Sequence, residues 1–265
     1  MKISILITTY NAEKYIQRCI KSIMQSSYAN FEIIIIDNNS SDSSLSIVKQ
    51  FKSKKIKIFS KSNLTIYQAL NFGIKKSKGK ILCYLGADDC YLKNTFSIVA
   101  KHFQINKHAQ WIVGGSQIIY DEKKIVNKKA FTDNQINLQR LLRKNIICSP
   151  SVFFSKKFFN TTRGFDERYK YSADYDLWLR FMKVKKPVVL KNILSIVHFD
   201  GKTLSERKSI QMSIETIRIL LKNYGFSNIF SQVIGIYNIT IMIIKRTLYI
   251  ILKTIIHFFK MKLSF

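Results

Sequence analysis

Short apolar runs alternate with stretches of helical periodicity along the first 90 residues, and this alternation restricts the fold more than any other feature of the chain. Four runs suit buried strands: Ile3–Ile7, Phe31–Ile36, Ile56–Phe59 and Ile81–Leu85. Between the first two, apolar residues recur at helical spacing, after an Asn11 that can cap the helix. Strands separated by such helices form a Rossmann-like, doubly wound, mostly parallel sheet flanked by helices, so we predict an α/β fold with a nucleotide-binding half over residues 1–90.

Two adjacent carboxylates, Asp88 and Asp89, follow directly on the fourth strand. Ligands bind at the carboxyl edge of open α/β sheets, so this pair indicates an ion or a sugar, although an ordinary acidic turn is the alternative. The turn after the first strand, residues 8–13, has no glycine, and no Walker A sequence is present. Because a glycine-rich phosphate cradle is absent, a divalent metal held by Asp88 and Asp89 is the candidate for neutralising a diphosphate.

The chain is strongly basic, with 44 Lys and Arg against 16 Asp and Glu and a formal net charge of +28. Such a surface attracts nucleic acid, nucleotide phosphates or an anionic bilayer. Compositional drift toward Ile, Lys and Asn is a competing explanation for many of the lysines. The four cysteines have no CxxC spacing and the amino-terminal apolar run is too short for a signal peptide, which together indicate a reducing, cytoplasmic compartment.

Several short motifs follow one another in a fixed order. They are Thr8-Thr9-Tyr10-Asn11, Asp37-Asn38-Asn39-Ser40-Ser41-Asp42, Tyr67–Ile74, Gly79-Lys80, Ala87-Asp88-Asp89, Gly164-Phe165-Asp166-Glu167 and Ala173–Arg180. Together they resemble the family 2 glycosyltransferases with the GT-A fold, of the kind that builds bacterial surface polysaccharides. The resemblance covers residues 1–205 and implies a nucleotide-sugar-binding half over 1–90 and an acceptor half over 91–205.

The resemblance also implies roles for individual residues. The nucleotide sugar would contact Thr8, Tyr10, Asp37, Asn39, Asn71 and Asp88. Asp89 would hold Mg or Mn on the diphosphate, and His198 is either a further metal ligand or a structural histidine. For Thr8, Tyr10 and Asp37 the alternatives are a strand-end turn and a helix cap.

Asp174 matches the family's catalytic base, which would take the proton of the acceptor hydroxyl as that hydroxyl attacks the sugar with inversion. The family often has Glu-Asp here, whereas this chain has Ala173-Asp174, so one acid is missing. Asp176 competes for the role, but two residues further round a helix it should point away from Asp174. Alternatively, Asp174 only caps the helix that includes residues 177–184.

The acceptor half contains weaker signals. We predict a strand pair or a bent strand over Trp111–Tyr120, a helix over Ile136–Leu142, a strand over Ser149–Phe154 and a last strand over Ile193–Phe199.

Residues 206–265 are predicted to form a helical, basic extension. A first helix would carry one apolar face, made of Ile210, Ile214, Ile217 and Leu221, and would end at Gly225. Further on, Arg246, Lys253 and Lys260 recur every seven residues, a pattern typical of a helix lying in a membrane interface. No charge-free run reaches the roughly 18 residues of a spanning helix. We therefore expect peripheral binding to an anionic membrane; packing on the catalytic domain or on a dimer partner is the alternative.

These features predict a metal-dependent, inverting glycosyltransferase on the inner face of the cell membrane. It would move a sugar from a nucleotide diphosphate sugar to a glycan or lipid-linked acceptor in surface polysaccharide synthesis. A non-catalytic nucleotide-sugar or carbohydrate-binding subunit would share the fold. A nucleic-acid-binding protein would explain the charge, but the basic residues are dispersed and no reading motif is present, so no specific nucleic acid is expected. An oligomer is possible.

Overall fold

A computed structural model describes residues 1–120, 124–199, 207–224 and 241. Its strands are β1 (Ile3–Thr9), β2 (Phe31–Asp37), β3 (Ile56–Ser60), β4 (Ile81–Gly86), β5 (Cys90–Tyr91), β6 (Trp111–Tyr120), β7 (Lys124–Lys129), β8 (Val152–Ser155) and β9 (Val188–Phe199). Its helices are α1 (Glu13–Met24), α2 (Ser44–Lys49), α3 (Ile66–Lys76), α4 (Thr95–Ile105), α5 (Leu138–Arg143), α6 (Lys156–Thr161), α7 (Ala173–Val184) and α8 (Ser209–Tyr224).

The described strands form one sheet in the order β3-β2-β1-β4-β8-β6-β9-β5, with β7 paired to β6. The first four strands in the chain are parallel, as predicted, and helices connect the first three to the next. Because Thr9 pairs with Asp37 and Thr8 with Gly86, the carboxyl ends of β1, β2 and β4 meet at one edge. That edge receives the turn after β1 and the acid pair after β4.

The second half of the sheet is mixed. Strand β8 runs antiparallel to β4 and β6, whereas β9 runs parallel to β6. Of the two alternatives for residues 111–120, the bent strand is correct: β6 is continuous, and its pairing with β9 shifts register around Gly115. At the neighbouring Gly114 a Cβ would lie 2.3 Å from Leu194 Cδ1, so only glycine allows β9 this close.

Other predicted elements need smaller corrections. Residues 149–151 form a 3-10 turn around Pro150, which has no N–H for a sheet ladder, so the strand predicted to start at Ser149 starts at Val152. The last strand extends back to Val188. The helix predicted at Ile136 begins at Leu138, because Asn137 caps it by accepting from the Arg140 amide at 2.9 Å. Helices α4 and α6 were not predicted.

The core lies on both faces of the sheet, which explains why β1, β2 and β4 carry buried apolar residues on both sides, whereas the edge strand β3 is only half-buried. Leu6, Ile34 and Leu82 pack into one cluster with α3, α5 and α7, while Ile5 and Cys83 pack into the other with α1 and α4. Large aromatic side chains fill the first cluster. Trp111 of β6 stacks on Trp178 of α7 with ring centroids 6.0 Å apart, which fixes α7 against the sheet.

Helix α8 confirms the predicted helix, and most of its apolar stripe is exposed. Ile210, Ile214 and Leu221 are 56%, 45% and 38% exposed, whereas Glu215 and Ile219 are buried. The side of α8 that packs on the domain is therefore the side carrying Glu215. Along the described part of the chain no helix is both long and apolar enough to cross a membrane. Gly225 and the basic stripe at Arg246, Lys253 and Lys260 lie outside the described residues.

Candidate functional site

The turn after β1 and the loop after β2 are joined by hydrogen bonds between their residues. The first amides of the α1 region lack a local side-chain cap and instead donate to the neighbouring loop: Ala12 N to Ser44 Oγ at 2.8 Å and Glu13 N to Asp42 Oδ2 at 3.0 Å. Asn11 is therefore not the cap of α1. It takes a positive φ of 47° and its Oδ1 accepts from the Ser41 amide at 2.9 Å. These bonds fix the backbone of residues 8–13 without glycine.

A cleft of about 820 Å³ opens at this edge of the sheet. That volume falls within the usual range for small-molecule sites. Three of the predicted donor-binding residues, Thr8, Tyr10 and Asp88, line it. Tyr10 is 63% exposed, so its ring is open to a ligand. Lys170, Tyr171 and Arg207 line the cleft as well.

The other three predicted donor residues do not line the cleft. Asp37 is buried at the end of β2, where its carboxylate accepts from the Ser40 amide at 3.0 Å and from Ser40 Oγ. Asn39 is exposed with a φ of 61°. Asn71 ties α3 to the loop before α7: its Nδ2 donates to Phe165 O at 2.9 Å. For these three residues, donor contact stays a prediction from the sequence.

The acid pair is crowded against the end of β4. A Cβ on Gly86 would lie 2.5 Å from Asp88 Oδ1 and 3.2 Å from Asp89 Oδ2, so both carboxylates approach the same backbone position. Asp89 is buried, and its Oδ1 accepts from the His198 backbone amide at 3.1 Å. Burial and then the charge of Asp88 raise the pKa of Asp89 well above its ordinary value, against the opposing effects of His198 N and Arg18. The ionised pair therefore favours a cation beside it.

The residues present fit a divalent cation shared with a ligand. No group of three or more His, Cys, Asp and Glu side chains with metal-binding geometry occurs within residues 1–120, 124–199 and 207–224. Two hard oxygen donors are nonetheless close together at Asp88 and Asp89, and Mg²⁺ is commonly held by one or two carboxylates plus substrate phosphates. The fold brings His198 next to Asp89 through its backbone amide, and ligation by its ring stays a prediction.

Asp174 occupies the first turn of α7 and is surrounded by hydroxyl groups. Its Oδ2 accepts from Ser149 Oγ at 2.6 Å and Tyr84 Oη at 3.3 Å. Burial, and then the charge of Asp174, raise the pKa of Tyr84 well above its ordinary value, so the phenol stays protonated as a donor. Since Ser172 is the residue before the helix, the alternative that Asp174 is the N-cap is wrong. Its Oδ1 accepts from the amide of the next residue, Tyr175, at 2.7 Å, so both carboxylate oxygens have donors and the carboxylate is held in one orientation.

Asp176 lies on the other side of α7, as the helical spacing predicts. It is buried and accepts from Arg180 Nε at 2.8 Å and from Asn223 Nδ2 at 3.2 Å. Arg180 in turn donates to Thr162 O and Gly164 O. Asp176 is thus part of a buried structural network, which removes it as a competitor of Asp174.

Several functional candidates were missed from the sequence. Ser149 and Tyr84 contact Asp174, and Lys170 and Arg207 contribute cations to the cleft. The tyrosine had one available signal, because it interrupts an otherwise aliphatic strand two residues before Gly86. The other three stand in loops or at a helix start, where periodicity carries no information.

The comparisons with known sequences agree with one another. The model of the family described as "Glycosyl transferase family 2" matches residues 4–169. An uncharacterized glycosyltransferase of Rickettsia bellii is 30% identical over 217 residues, which make up 78% of this chain and 31% of that protein. The PGL/p-HBAD biosynthesis glycosyltransferase of Mycobacterium bovis is 29% identical over 67% of this chain and 68% of its own length. The chain thus spans less than a third of the Rickettsia bellii relative.

Solved structures share the fold. S. aureus TarS 1–349 in complex with UDP-GlcNAc aligns with a TM-score of 0.68 at 17% identity, covering 89% of this chain and 70% of that one. The mannosyltransferase PcManGT from Pyrobaculum calidifontis, in complex with GDP-Man and Mn²⁺, aligns with a TM-score of 0.61 at 12% identity, covering 89% and 73%. The predicted GT-A fold is confirmed by these alignments.

Proposed function

The chain belongs to glycosyl transferase family 2, and on that premise we propose that it transfers a sugar, with inversion, from a nucleoside diphosphate sugar to an acceptor hydroxyl. The observation that carries the proposal is that acidic side chains lie at two places beside β4: the pair Asp88 and Asp89 after its carboxyl end, and Asp174 next to Tyr84. Asp88 lines the cleft at the carboxyl end of the strand, and Asp174 contacts Tyr84 within the same strand. Asp88 and Asp89 suit the diphosphate of the donor, and Asp174 suits the proton of the acceptor hydroxyl.

In this mechanism Asp174 holds and accepts the proton. The acceptor oxygen forms a bond to the anomeric carbon while the bond from that carbon to the donor phosphate oxygen breaks, and the proton moves to the Asp174 carboxylate. Ser149 and Tyr84 donate to Asp174 Oδ2 and hold it in place. The nucleoside diphosphate leaves with the electron pair, which gives inversion because attack comes from the opposite face.

Asp88 and Asp89 are assigned to the diphosphate end of the donor. Asp88 would contact the sugar nucleotide, and Asp89, with His198 as a further candidate, would hold Mg²⁺ or Mn²⁺. When bound, the cation offsets the negative charge that grows on the leaving diphosphate. Thr8 and Tyr10, both on the cleft lining, would contact the base and ribose. A thermal-shift screen of UDP- and GDP-sugars with Mn²⁺ would identify the donor.

The base assignment is tested by Asp174→Asn. We expect the variant to bind the donor as the wild type does and to lose about 10²- to 10⁴-fold in transfer, the usual contribution of a general base. Glu167→Gln is a control, because Glu167 is exposed and contacts Asn71 rather than the base. Transfer by Asp174→Asn at near wild-type rates would refute the assignment. Donor binding without any turnover by the wild type would favour a non-catalytic subunit.

We also propose a lipid-linked acceptor and a peripheral position on the inner, anionic face of the membrane. The exposed Ile210, Ile214 and Leu221 on α8, together with a net charge of +28, suit a surface that buries apolar side chains beside anionic headgroups. Replacing Ile210, Ile214 and Leu221 with Ser should weaken flotation with anionic vesicles, and deleting residues 226–265, which carry Arg246, Lys253 and Lys260, should release the protein. Flotation of both variants as before would refute the proposed anchor.

A further inference from the structure

A buried carboxylate other than those of Asp88, Asp89 and Asp174 accepts hydrogen bonds from the loop before α7. Glu215 of α8 is 8% exposed, and its two oxygens accept from three consecutive backbone amides: Lys170 N at 2.8 Å, Tyr171 N at 2.8 Å and Ser172 N at 2.9 Å. Hydrogen bonds to an ionised carboxylate are stronger than neutral ones. A single side chain thereby fixes to α8 three residues that lie 43 to 45 positions earlier in the chain.

These three hydrogen bonds, which we call the clamp, hold residues 170–172, and those residues lead directly into the helix that carries the proposed base. Ser172 precedes α7 and makes no side-chain capping bond; its Oγ instead donates to Met212 O of α8 at 3.2 Å. The amide of the residue just before a helix needs an acceptor, and a negative charge near the amino end of a helix is favourable. Glu215 supplies that charge from a different helix. Asp174 is only two residues beyond Ser172, so its position depends on this contact.

The same residues form part of the cleft wall. Lys170 and Tyr171 line the cleft, and Arg207, just before α8, lines it with them. Tyr171 O also accepts from Tyr67 Oη at 3.2 Å, which connects the loop to α3. Residues 170–172 therefore connect the cleft wall, through Lys170 and Tyr171, with the start of the helix that carries Asp174.

We propose that Glu215 is a positioning residue for sugar transfer, which holds residues 170–172 so that Asp174 faces the acceptor hydroxyl. The inference rests on the proposed function and deepens it, because it makes α8 a part of the catalytic unit rather than the start of an appendage. The predicted division of the chain at residues 205 and 206 would then separate the base from the side chain that positions it.

Glu215→Gln in the full chain is the main test. The amide keeps the size of the side chain but has one acceptor oxygen and no charge, so it cannot hold three amides. We expect nucleoside diphosphate release from UDP-GlcNAc or GDP-Man with Mn²⁺ to fall about 10- to 100-fold in kcat, with KM for the donor changed less than threefold. Glu215→Asp, which keeps the charge on a shorter arm, should recover part of the rate. Lys222→Gln is the matched control, since it loses another contact of α8, the 3.4 Å pair with Asp166, and should keep the wild-type rate.

A double variant separates positioning from a general contribution to folding. If Glu215 acts through Asp174, then Glu215→Gln should lower kcat little or not at all in an Asp174→Asn background. A full, additive loss in that background, or an unchanged kcat in Glu215→Gln alone, would overturn the inference. If the wild type releases no nucleoside diphosphate from UDP-GlcNAc, GDP-Man or the donor found in the thermal-shift screen, the proposed function fails, and hydrogen–deuterium exchange still tests the inference about Glu215.

Hydrogen–deuterium exchange tests, independently of turnover, whether Glu215 holds residues 170–172. In Glu215→Gln the amides of residues 170–172 should exchange at least tenfold faster, while those of β1 and β4 stay as slow as in the wild type. Unchanged exchange at residues 170–172 would contradict the proposal even in an active enzyme. Faster exchange throughout the sheet would assign Glu215 to global stability and would equally contradict it.

Discussion

Glu32 lies at the amino end of the parallel strands and Asp89 at their carboxyl end. Both are buried, with 2% and 8% of their surface exposed, yet their pKa values are shifted in opposite directions. Glu32, at the amino end of β2, accepts from Ser4 Oγ at 2.7 Å, from Lys57 Nζ at 2.7 Å and from the Lys78 amide. Burial alone raises the pKa of Glu32, but these hydrogen bonds outweigh it and bring the pKa down to about 2. The charge is satisfied within the protein.

Asp89, at the carboxyl end of β4, shows the reverse balance. Burial and the adjacent Asp88 raise its pKa, and the contributions of the His198 amide and Arg18 are too small to reverse the shift. A carboxylate that a fold keeps buried beside a like charge costs stability unless a ligand compensates it. Both acids are buried, so burial alone does not distinguish an acid whose charge the protein compensates from one that we propose binds a cation. The separating property is whether the protein itself supplies the compensating charge.

The largest effect that this comparison predicts is on turnover in Asp89→Asn. We expect release of nucleoside diphosphate to fall on the order of 10³-fold, because the diphosphate loses its charge compensation. The melting temperature without metal should stay the same or rise, since the substitution removes a buried charge. Activity assays with Mn²⁺ and thermal denaturation with and without Mn²⁺ measure both. A variant that keeps its activity, or that melts several degrees lower, would make Asp89 an acid of the Glu32 type.

Glu32→Gln should give the opposite result, a loss of stability with little change in kcat. The variant loses charge-assisted hydrogen bonds from Ser4 Oγ and Lys57 Nζ, which contribute about 1.5 to 3 kcal/mol, while the one-third exposed Lys57 stays hydrated. The ionised Glu32 stabilises the fold above its ordinary pKa of 4.5, and that contribution is lost as pH falls toward 2. Urea denaturation at pH 7 and pH 3 should therefore show a difference between wild type and variant that narrows at the lower pH. A constant difference would mean that the charge of Glu32 is not what stabilises the fold.

Much of the parallel half of the fold follows from the sequence. Isoleucine-rich runs such as Phe31–Ile36 have no polar face to expose, so they predict strands covered on both sides, and the acid pair after β4 predicts a ligand edge. Glu32 itself stands inside such a run without any local sign of its partners. Lys57 and Lys78 are distant in the chain, so the sequence alone gives no reason to distinguish Glu32 from a surface acid.

Helix α8 is the clearest failure of periodicity. Ile210, Ile214 and Leu221 make the apolar stripe that normally marks the buried face, but the opposite side is buried. There Ile219 and Leu220 pack into the core, and Glu215 accepts from three amides. Those amides belong to a loop more than 40 residues away, and no local sequence pattern encodes a contact over that distance. The contacts of Asn71 are likewise distant in the chain, because its amide nitrogen donates to Phe165 O and to Glu167.

The smallest predicted effect sharpens the comparison through two glycines. In Gly86→Ala the new methyl would lie 2.5 Å from Asp88 Oδ1, so the carboxylates must shift, and we expect about a tenfold loss of turnover with little change in melting temperature. In Gly73→Ala the methyl would lie 2.6 Å from Ile36 Cδ1 and 2.8 Å from Leu6 Cδ2 in the core, so the loss should be in stability, about 1 to 3 kcal/mol. Activity and melting temperature, measured on both variants, should separate them. Equal activity in Gly86→Ala and the wild type would mean that the acid pair tolerates displacement, and that its close approach to β4 has no part in turnover.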